Sequence, residues 1–195
     1  SVNVNAAVIS SYAFAECSEL EDVTLGADVA VIGENAFAQT AITKFKLSPK
    51  NTFLTLEEDG ALILKGSELL LAAPSYVGAG NTITTTATKI STGAFAGNKK
   101  VFYVVANNLT SIGDFAFANC VNLKQVTMPN VVEIGEYAFY NTDLTEINTP
   151  KLKSIGNFAF AFSDLEELNL GDDVNINKYA FAYCISLNSV TIGDN

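Results

Sequence analysis

The chain has 195 residues, 49% of them hydrophobic, and its 11 Lys plus Arg against 21 Asp plus Glu give a net charge of −10 at pH 7. This acidity excludes a nucleic-acid interface, which needs clustered cations, and disfavours anionic membrane surfaces, while no apolar run reaches the roughly 18 residues of a membrane-spanning helix. Histidine is absent, so the commonest general base and metal ligand is missing and Ser-His-Asp or Cys-His catalysis within the chain is impossible. We therefore expect no enzyme, no cofactor and no metal site.

A short phrase recurs along the chain, and its constant part is an Ala-Phe pair preceded by isoleucine. The pair recurs every 21 to 23 residues, except for one gap between Phe37 and Phe95. The seven pairs are Ala13-Phe14, Ala36-Phe37, Ala94-Phe95, Ala116-Phe117, Ala138-Phe139, Ala159-Phe160 and Ala180-Phe181. Self-similarity at this period is typical of a solenoid with one coil per repeat. We predict that residues 1–195 form one solenoid of about eight coils with the phenylalanines stacked in its core.

Alternating apolar residues follow each Ala-Phe pair. Clear examples are "LKQVTM" at 123–128 and "LEELNL" at 165–170. The alternation predicts half-buried strands, and strands one repeat apart run parallel. We expect a parallel sheet on one face of the solenoid, short turns or 3-10 segments on the other, and little regular helix.

The third residue after each phenylalanine is always compact and can donate a hydrogen bond. It is Cys17, Thr40, Asn98, Cys120, Thr142, Ser163 and Cys184. Buried backbone carbonyls need partners, so we predict that these side chains pair with carbonyls where each coil turns. After Thr or Ser the next apolar residue follows two positions later, and after Cys or Asn it follows three positions later. Cysteines several coils apart are too distant for a disulfide, and burial makes their thiols inert.

The gap between Phe37 and Phe95 holds an insert at residues 51–80. The turn signals Asp59-Gly60 and Gly66-Ser67 separate apolar runs, which predicts a β-meander with strands at about 52–57, 61–65 and 68–72, ended by Pro74. Residues 81–90 then return the chain to the ladder of strands. The insert is either a structural spacer or a specificity element that projects from the solenoid. The acidic stretches 57–60 and 171–175 lack the spacing of an EF-hand loop, and we interpret them as turns.

Two surfaces are candidates for ligand binding. Outward positions of the predicted strands form a mixed polar face, and its candidate binding residues are Lys44, Lys46, Tyr103, Gln125, Glu146 and Glu167. Extended sheet faces are the usual binding surfaces of solenoids, although such a face can also be merely solvated.

The residue before the constant alanine is aromatic in the last four coils. This stripe contains Phe115, Tyr137, Phe158 and Tyr179, and Tyr140, Phe162 and Tyr183 add rings just after the constant phenylalanine. Exposed, the stripe would be large enough to mark a protein or glycan contact. The alternative is that the rings fold over the coil edges as extra packing.

The repeated phrase Ile-Gly-x-x-Ala-Phe, followed by Cys-x-x-Leu-x-x-Val, resembles the BspA-like leucine-rich repeats of bacterial surface proteins. The best match is "SIGDFAFANCVNLKQVTMPNVVEIGEYAF" at 111–139. The resemblance implies a leucine-rich-repeat solenoid of the α/β horseshoe class with a right-handed superhelix. It also implies a cell-surface or secreted location and adhesion to host matrix proteins, mucosal surfaces or other bacteria. The family has no shared catalytic residues.

These observations lead to one expected function and one alternative. We expect a non-enzymatic bacterial cell-surface or secreted protein that binds an extracellular protein or glycan, with host matrix proteins among the candidate partners. The alternative is a structural spacer that displays another part of a longer surface protein, which is compatible with a chain that opens and closes within a repeat. The sequence implies no nucleic-acid partner, and we expect no membrane insertion by this segment.

Overall fold

The apolar residues that alternate after the Ala-Phe pairs form strands, as predicted. The computed structural model describes residues 1–193, which fold into a solenoid of about nine turns without α-helix. The number of turns exceeds eight because a strand already precedes the first Ala-Phe pair. These longer strands are β1 (Val2–Val4), β3 (Asp22–Leu25), β5 (Lys44–Leu47), β9 (Thr82–Thr84), β11 (Tyr103–Val105), β13 (Gln125–Thr127), β15 (Glu146–Asn148), β17 (Glu167–Leu170) and β19 (Ser189–Ile192).

The longer strands pair in parallel within three sheets, in the orders β1-β3-β5, β9-β11-β13 and β15-β17-β19. Their register aligns the central apolar residue of each strand with that of the next, as where Val104 lies opposite Val126. Because side chains alternate across a strand, this register keeps the apolar set of every coil on the inner face. The parallel sheet on one face of the solenoid is therefore confirmed.

A second column of parallel strands runs along the solenoid at the isoleucines that precede the Ala-Phe pairs. These two-residue strands are β2 (Val8–Ile9), β4 (Val31–Ile32), β10 (Lys89–Ile90), β12 (Ser111–Ile112), β14 (Glu133–Ile134), β16 (Ser154–Ile155) and β18 (Asn175–Ile176). Two residues are too few to show periodicity, so the sequence showed a recurring isoleucine here but predicted no sheet. The following glycine allows the coils to approach, since a Cβ on Gly156 would lie 2.5 Å from the Glu136 nitrogen.

The insert forms the predicted meander, with antiparallel strands β6 (Thr55–Glu57), β7 (Leu62–Lys65) and β8 (Glu68–Ala72). Strand β8 also pairs in parallel with β10, so the meander continues the sheet of short strands. Leu62 and Leu64 pack into the core of the C-terminal coils, whereas Ile63 packs into the core of the N-terminal coils.

The meander is therefore a buried wall between two cores, because both faces of β7 are covered. The interpretation of the insert as a projecting element is wrong. The sequence is consistent with this burial, because "ALIL" at 61–64 is a continuous apolar run. Such a run is typical of a strand buried on both faces, whereas a half-exposed strand alternates.

Stacked phenylalanine rings form the centre of both cores, as predicted. Phe14 stacks on Phe37 with ring centroids 5.1 Å apart. A second stack joins Phe95, Phe117, Phe139, Phe160 and Phe181, with centroid distances of 4.7, 5.1, 5.1 and 5.3 Å. The meander separates the two stacks, and Tyr76 packs against both cores.

The donor position after the phenylalanine pairs with backbone carbonyls at five of the seven predicted residues, and its side chain decides which carbonyl is used. The prediction is wrong for Ser163, whose hydroxyl lies 3.3 Å from Cys184 Sγ, and for Cys17, which is exposed. Thr40 and Thr142 donate to the phenylalanine carbonyl of their own turn, at 2.9 and 3.0 Å. The Cys120 and Cys184 thiols reach the phenylalanine carbonyl of the preceding coil, at 3.0 and 3.1 Å.

The same geometry explains why the spacing to the next apolar residue differs. In the cysteine coils one extra residue forms a turn that the following leucine closes, with Leu123 N donating to Cys120 O at 2.9 Å. In the Asn98 coil the side-chain oxygen accepts from Val101 N and serves the same purpose. The spacing of two or three residues between the donor position and the next apolar residue thus indicates which turn the coil makes.

The expectation that burial makes all three thiols inert is wrong for Cys17, which is exposed, so we predict that a thiol reagent distinguishes the cysteines. All three are free thiols; Cys17 is exposed, Cys120 is fully buried, and burial raises the pKa of Cys120 to about 12. At pH 8 the native protein should react rapidly at Cys17, and Cys120 should react only after unfolding in guanidinium. Mass spectrometry of peptides after pulsed alkylation measures both rates. Equal rates at Cys17 and Cys120 in the native protein would contradict this prediction.

Candidate functional site

The structure places the predicted strand-face residues on the outer side of the longer strands, where most of them have partners within the chain. Lys44 forms an ion pair with Asp59. Lys46 lies 3.2 Å from the Asp22 carboxylate. Gln125 Nε2 donates to Glu146 Oε1 at 2.7 Å. These contacts between exposed groups offset the charges that were expected to meet a ligand.

The strand-face set does not form one continuous sheet. Lys44 and Lys46 lie on β5, Tyr103 and Gln125 on neighbouring strands of the next sheet, and Glu146 opposite Glu167 in the third. Two like charges directly opposite each other in a parallel pair are unfavourable unless a cation or a ligand compensates them. The strand face is thus a row of separate polar spots.

Charge pairing on this face also shifts two ionisable groups. The pKa of Asp59 is lowered by the hydrogen bond from Lys44 and by its positive charge. The pKa of Lys124 is raised by its hydrogen bond to Asp143, at 2.9 Å. Both shifts favour the charged form, so these groups stay ionised and paired at neutral pH.

The turn face has a different construction, because each Ala-Phe pair is flanked by two residues with left-handed backbone. The first column of left-handed residues is Tyr12, Asn35, Gly93, Phe115, Tyr137, Phe158 and Tyr179. The second column is Glu16, Gln39, Gly97, Asn119, Asn141, Phe162 and Tyr183. All fourteen φ angles lie between 53° and 70°. The chain reverses at both positions, and their side chains line the outer surface of the turn.

The four rings predicted as a stripe form one stack, which we call the aromatic ladder. Phe115, Tyr137, Phe158 and Tyr179 follow one another with centroid distances of 4.9, 5.0 and 4.9 Å. Phe115 is 44% exposed and Tyr179 66% exposed, whereas the two middle rings are partly buried by their neighbours. Ring faces are thus covered within the ladder, and ring edges remain open to solvent. The sequence left two alternatives for the stripe, an exposed contact surface or extra packing. Both apply in part, since the rings pack on one another and their edges stay accessible.

Three further rings widen the ladder into a patch. Phe162 stacks on Tyr183 at 4.6 Å in the second column. Tyr140 joins the two stacks, because its ring meets Tyr137 edge-on at 5.5 Å and Phe162 at 5.4 Å. The C-terminal half of the turn face therefore presents seven neighbouring aromatic side chains.

The aromatic ladder stands in a backbone conformation that disfavours such side chains. Left-handed φ is costly for residues with a Cβ, by about 1 kcal/mol, and Gly and Asn tolerate it best. Asn35 and Gly93 occupy the column of the ladder in two other coils, so the coil itself does not require a ring. Strained residues that the local fold does not need are typical of functional surfaces.

The acidic stretch at 57–60 has a structural role that fits its interpretation as a turn. Glu57 accepts a hydrogen bond from Thr85 Oγ1 at 2.7 Å. Glu58 accepts from Tyr76 Oη at 2.9 Å and from Thr84 N at 3.0 Å. These carboxylates fasten the meander to strand β9. Over residues 1–193 the structure brings no three His, Cys, Asp or Glu side chains together as metal ligands. Within the same residues no helix is long and apolar enough to cross a membrane.

The repeat geometry can now be compared with known proteins. The model of the BspA type leucine rich repeat region matches six copies over residues 1–58 and 82–195. The chain belongs to this family. The BspA-type match leaves out residues 59–81, which contain β7 and β8 of the meander, so the buried wall is an addition to the family's repeat.

Solved structures share the BspA-type fold at low sequence identity. A leucine rich cell surface protein from Faecalibacterium prausnitzii superposes with a TM-score of 0.80 at 22% identity, over 96% of this chain and 51% of that one. The pneumococcal vaccine antigen PcpA superposes with a TM-score of 0.77 at 21% identity, over 96% and 49%. No curated protein matches the sequence significantly. The chain spans about half the length of these two structures, and the likeness shows the fold.

Proposed function

We propose that this BspA-type chain is a non-enzymatic binding module of a bacterial surface protein and that it adheres to an extracellular protein through the aromatic ladder. The observation that supports this proposal is a stack of exposed rings held at left-handed positions that Asn and Gly fill in other coils. The relatives described as a cell surface protein and a vaccine antigen support the location.

The orientation of the rings favours a protein partner. Within the ladder each inner ring has both faces covered, so a ligand meets ring edges and the hydroxyls of Tyr137 and Tyr179. Ring edges pack well against side chains and against the faces of other aromatic rings, and tyrosine hydroxyls add hydrogen bonds. Tyrosine-rich patches with this geometry are common at the centre of protein interfaces.

Binding through the strand face stays a prediction, and we expect this face to contribute less to affinity than the aromatic ladder. Lys44, Lys46, Gln125 and Glu146 would have to exchange partners within the chain for partners in a ligand. Exposed ion pairs contribute at most about 1 kcal/mol, so the exchange brings little net affinity. Tyr103, which is 41% exposed, is the residue of this face that offers new contact area.

We predict that replacing two rungs of the ladder abolishes most of the adhesion. The Tyr137→Asn and Phe158→Asn double variant should keep its fold, because Asn35 occupies the same column at φ 53°. Binding to a responsive member of a panel of extracellular-matrix proteins and mucins should weaken roughly 30- to 1,000-fold, since one aromatic anchor contributes about 2 kcal/mol and two contribute up to about 4 kcal/mol. Surface plasmon resonance at physiological salt measures the change.

The matched control replaces Lys44 and Lys46 with serine on the strand face. This control should leave affinity within about threefold, since exposed charges contribute little. The opposite pattern, with loss in the control and none in the ladder variant, would transfer the function to the strand face. Absence of binding to the whole panel would instead favour the structural spacer.

A further inference from the structure

The turn face contains a groove at the point where the aromatic ladder stops. Tyr12 lies at one end of the groove and Phe115 at the other, and it encloses about 330 Å³. Its remaining lining residues are small or polar, among them Glu34, Asn35, Gln39, Thr92, Gly97 and Asn119. The volume lies within the range of about 300–1,000 Å³ that is typical of small-molecule sites.

The groove exists because the two columns carry small residues beside the meander. Between Phe37 and Phe95 the chain has no Ala-Phe turn. The coil that follows the gap has Gly93 and Gly97 at the positions where later coils carry rings. A Cβ built on Gly97 meets nothing within 4 Å, so this glycine borders open space.

The groove is also where a ring face of the ladder is open. One face of Phe115 stacks on Tyr137 at 4.9 Å. The preceding coil is adjacent, since Gly93 N donates to Asp114 O at 2.9 Å, yet it offers glycine where a ring would cover the second face. Tyr12, at the opposite end, is 62% exposed and its hydroxyl accepts from Asn35 Nδ2 at 3.4 Å.

From this arrangement we infer that the groove binds a neutral saccharide, at a site separate from the ring edges proposed to contact protein. The apolar C–H face of a pyranose ring packs on the open face of an aromatic ring, whose π-electrons attract the polarised hydrogens. Asn35, Gln39, Thr92 and Asn119 supply the donors and acceptors that sugar hydroxyls need.

The charge of the groove selects among saccharides. Of the eleven lining residues, all within the described part of the chain, Glu34 alone is charged. A carboxylate accepts hydrogen bonds from sugar hydroxyls but repels sialate and sulfate, and the net charge of −10 adds to that repulsion. Neutral hexose and N-acetylhexosamine oligosaccharides are therefore the expected ligands.

The test fills the groove without changing the fold. In Gly97→Tyr the new ring occupies a column position where Phe162 and Tyr183 stand at φ 61° and 59°, so the backbone accommodates it. Glu16→Tyr is the matched control, since it places the same ring in the same column, at φ 62°, outside the groove lining. Phe115→Asn removes the open ring face and keeps a residue that tolerates left-handed φ.

The probes are neutral hexose and N-acetylhexosamine oligosaccharides, with sialylated and sulfated ones as comparison, and saturation-transfer NMR with calorimetry reads out binding. We expect a neutral oligosaccharide to bind wild type and Glu16→Tyr, and to lose detectable binding in Gly97→Tyr and Phe115→Asn. Equal binding by Gly97→Tyr and wild type, a preference for anionic sugars, or no neutral ligand at all would overturn the proposal. Adhesion to protein through Tyr137 and Phe158 is measured separately, so either proposal can fail alone.

Discussion

Replacing Phe139 with alanine is expected to lower the free energy of unfolding by about 3–5 kcal/mol, which is the usual cost of removing a buried aromatic ring. Phe139 is fully buried and stacks between Phe117 and Phe160, with both centroid distances at 5.1 Å. The truncation leaves a cavity and breaks the continuity of the stack. Because each coil contacts only its neighbours, the loss should concentrate in the C-terminal coils.

Guanidinium unfolding followed by circular dichroism measures the total effect, and hydrogen exchange locates it. Phe158→Asn is the matched control, since this ring belongs to the outer ladder and is only partly buried. Its loss should be smaller, because the new asparagine relieves the left-handed strain at φ 54°. If the two variants were equally stable, the inner stack would not be the main source of stability.

Replacing Ile63 with aspartate is expected to be the most damaging single change in the meander. Ile63 is fully buried in the core of the N-terminal coils, and its neighbours Leu62 and Leu64 are buried in the other core. An unpaired buried charge costs several kcal/mol and disrupts the strand that separates both cores. We expect loss of cooperative unfolding or a destabilisation of more than about 4 kcal/mol.

The control for the meander is Thr55→Asp on strand β6, where the side chain is exposed. It introduces the same charge in the same insert and should change stability by less than about 0.5 kcal/mol. Thermal unfolding by calorimetry compares the two variants with the wild type. A folded Ile63→Asp protein with unchanged melting temperature would show that the meander is an independent appendage, which contradicts its position as a buried wall.

The inner side of the solenoid provides its stability, whereas the turn face presents exposed side chains. On the inner side the middle rings of the phenylalanine stack and most isoleucines of the short strands are buried. On the turn face the left-handed columns accept aromatic residues, asparagine or glycine without a change of backbone. Because the backbone is constant and the side chains are free to vary, the columns are suited to recognition.

Repetition in the sequence by itself determined the architecture. The Ala-Phe and Ile-Gly spacings specified coils of one length, and the alternation after each phenylalanine specified the longer strands, because each coil can bury its apolar residues only against identical neighbours. The meander was readable from Asp59-Gly60 and Gly66-Ser67, since tight turns are local features. The aromatic ladder was predicted as a stripe, because its rings occupy the same position in successive repeats.

Only the tertiary structure decided the sheet of short strands, the burial of the meander and the groove beside Phe115. Two-residue strands carry no periodic signal, and their pairing depends on coils that lie 21 to 23 residues apart in sequence. Both faces of β7 are covered because the coils on either side close over it. The apolar run at 61–64 fits burial on both faces, but which coils cover it depends on long-range contacts. The groove exists because Phe115 has no ring beside it in the preceding coil, and this becomes visible only when the coils are stacked.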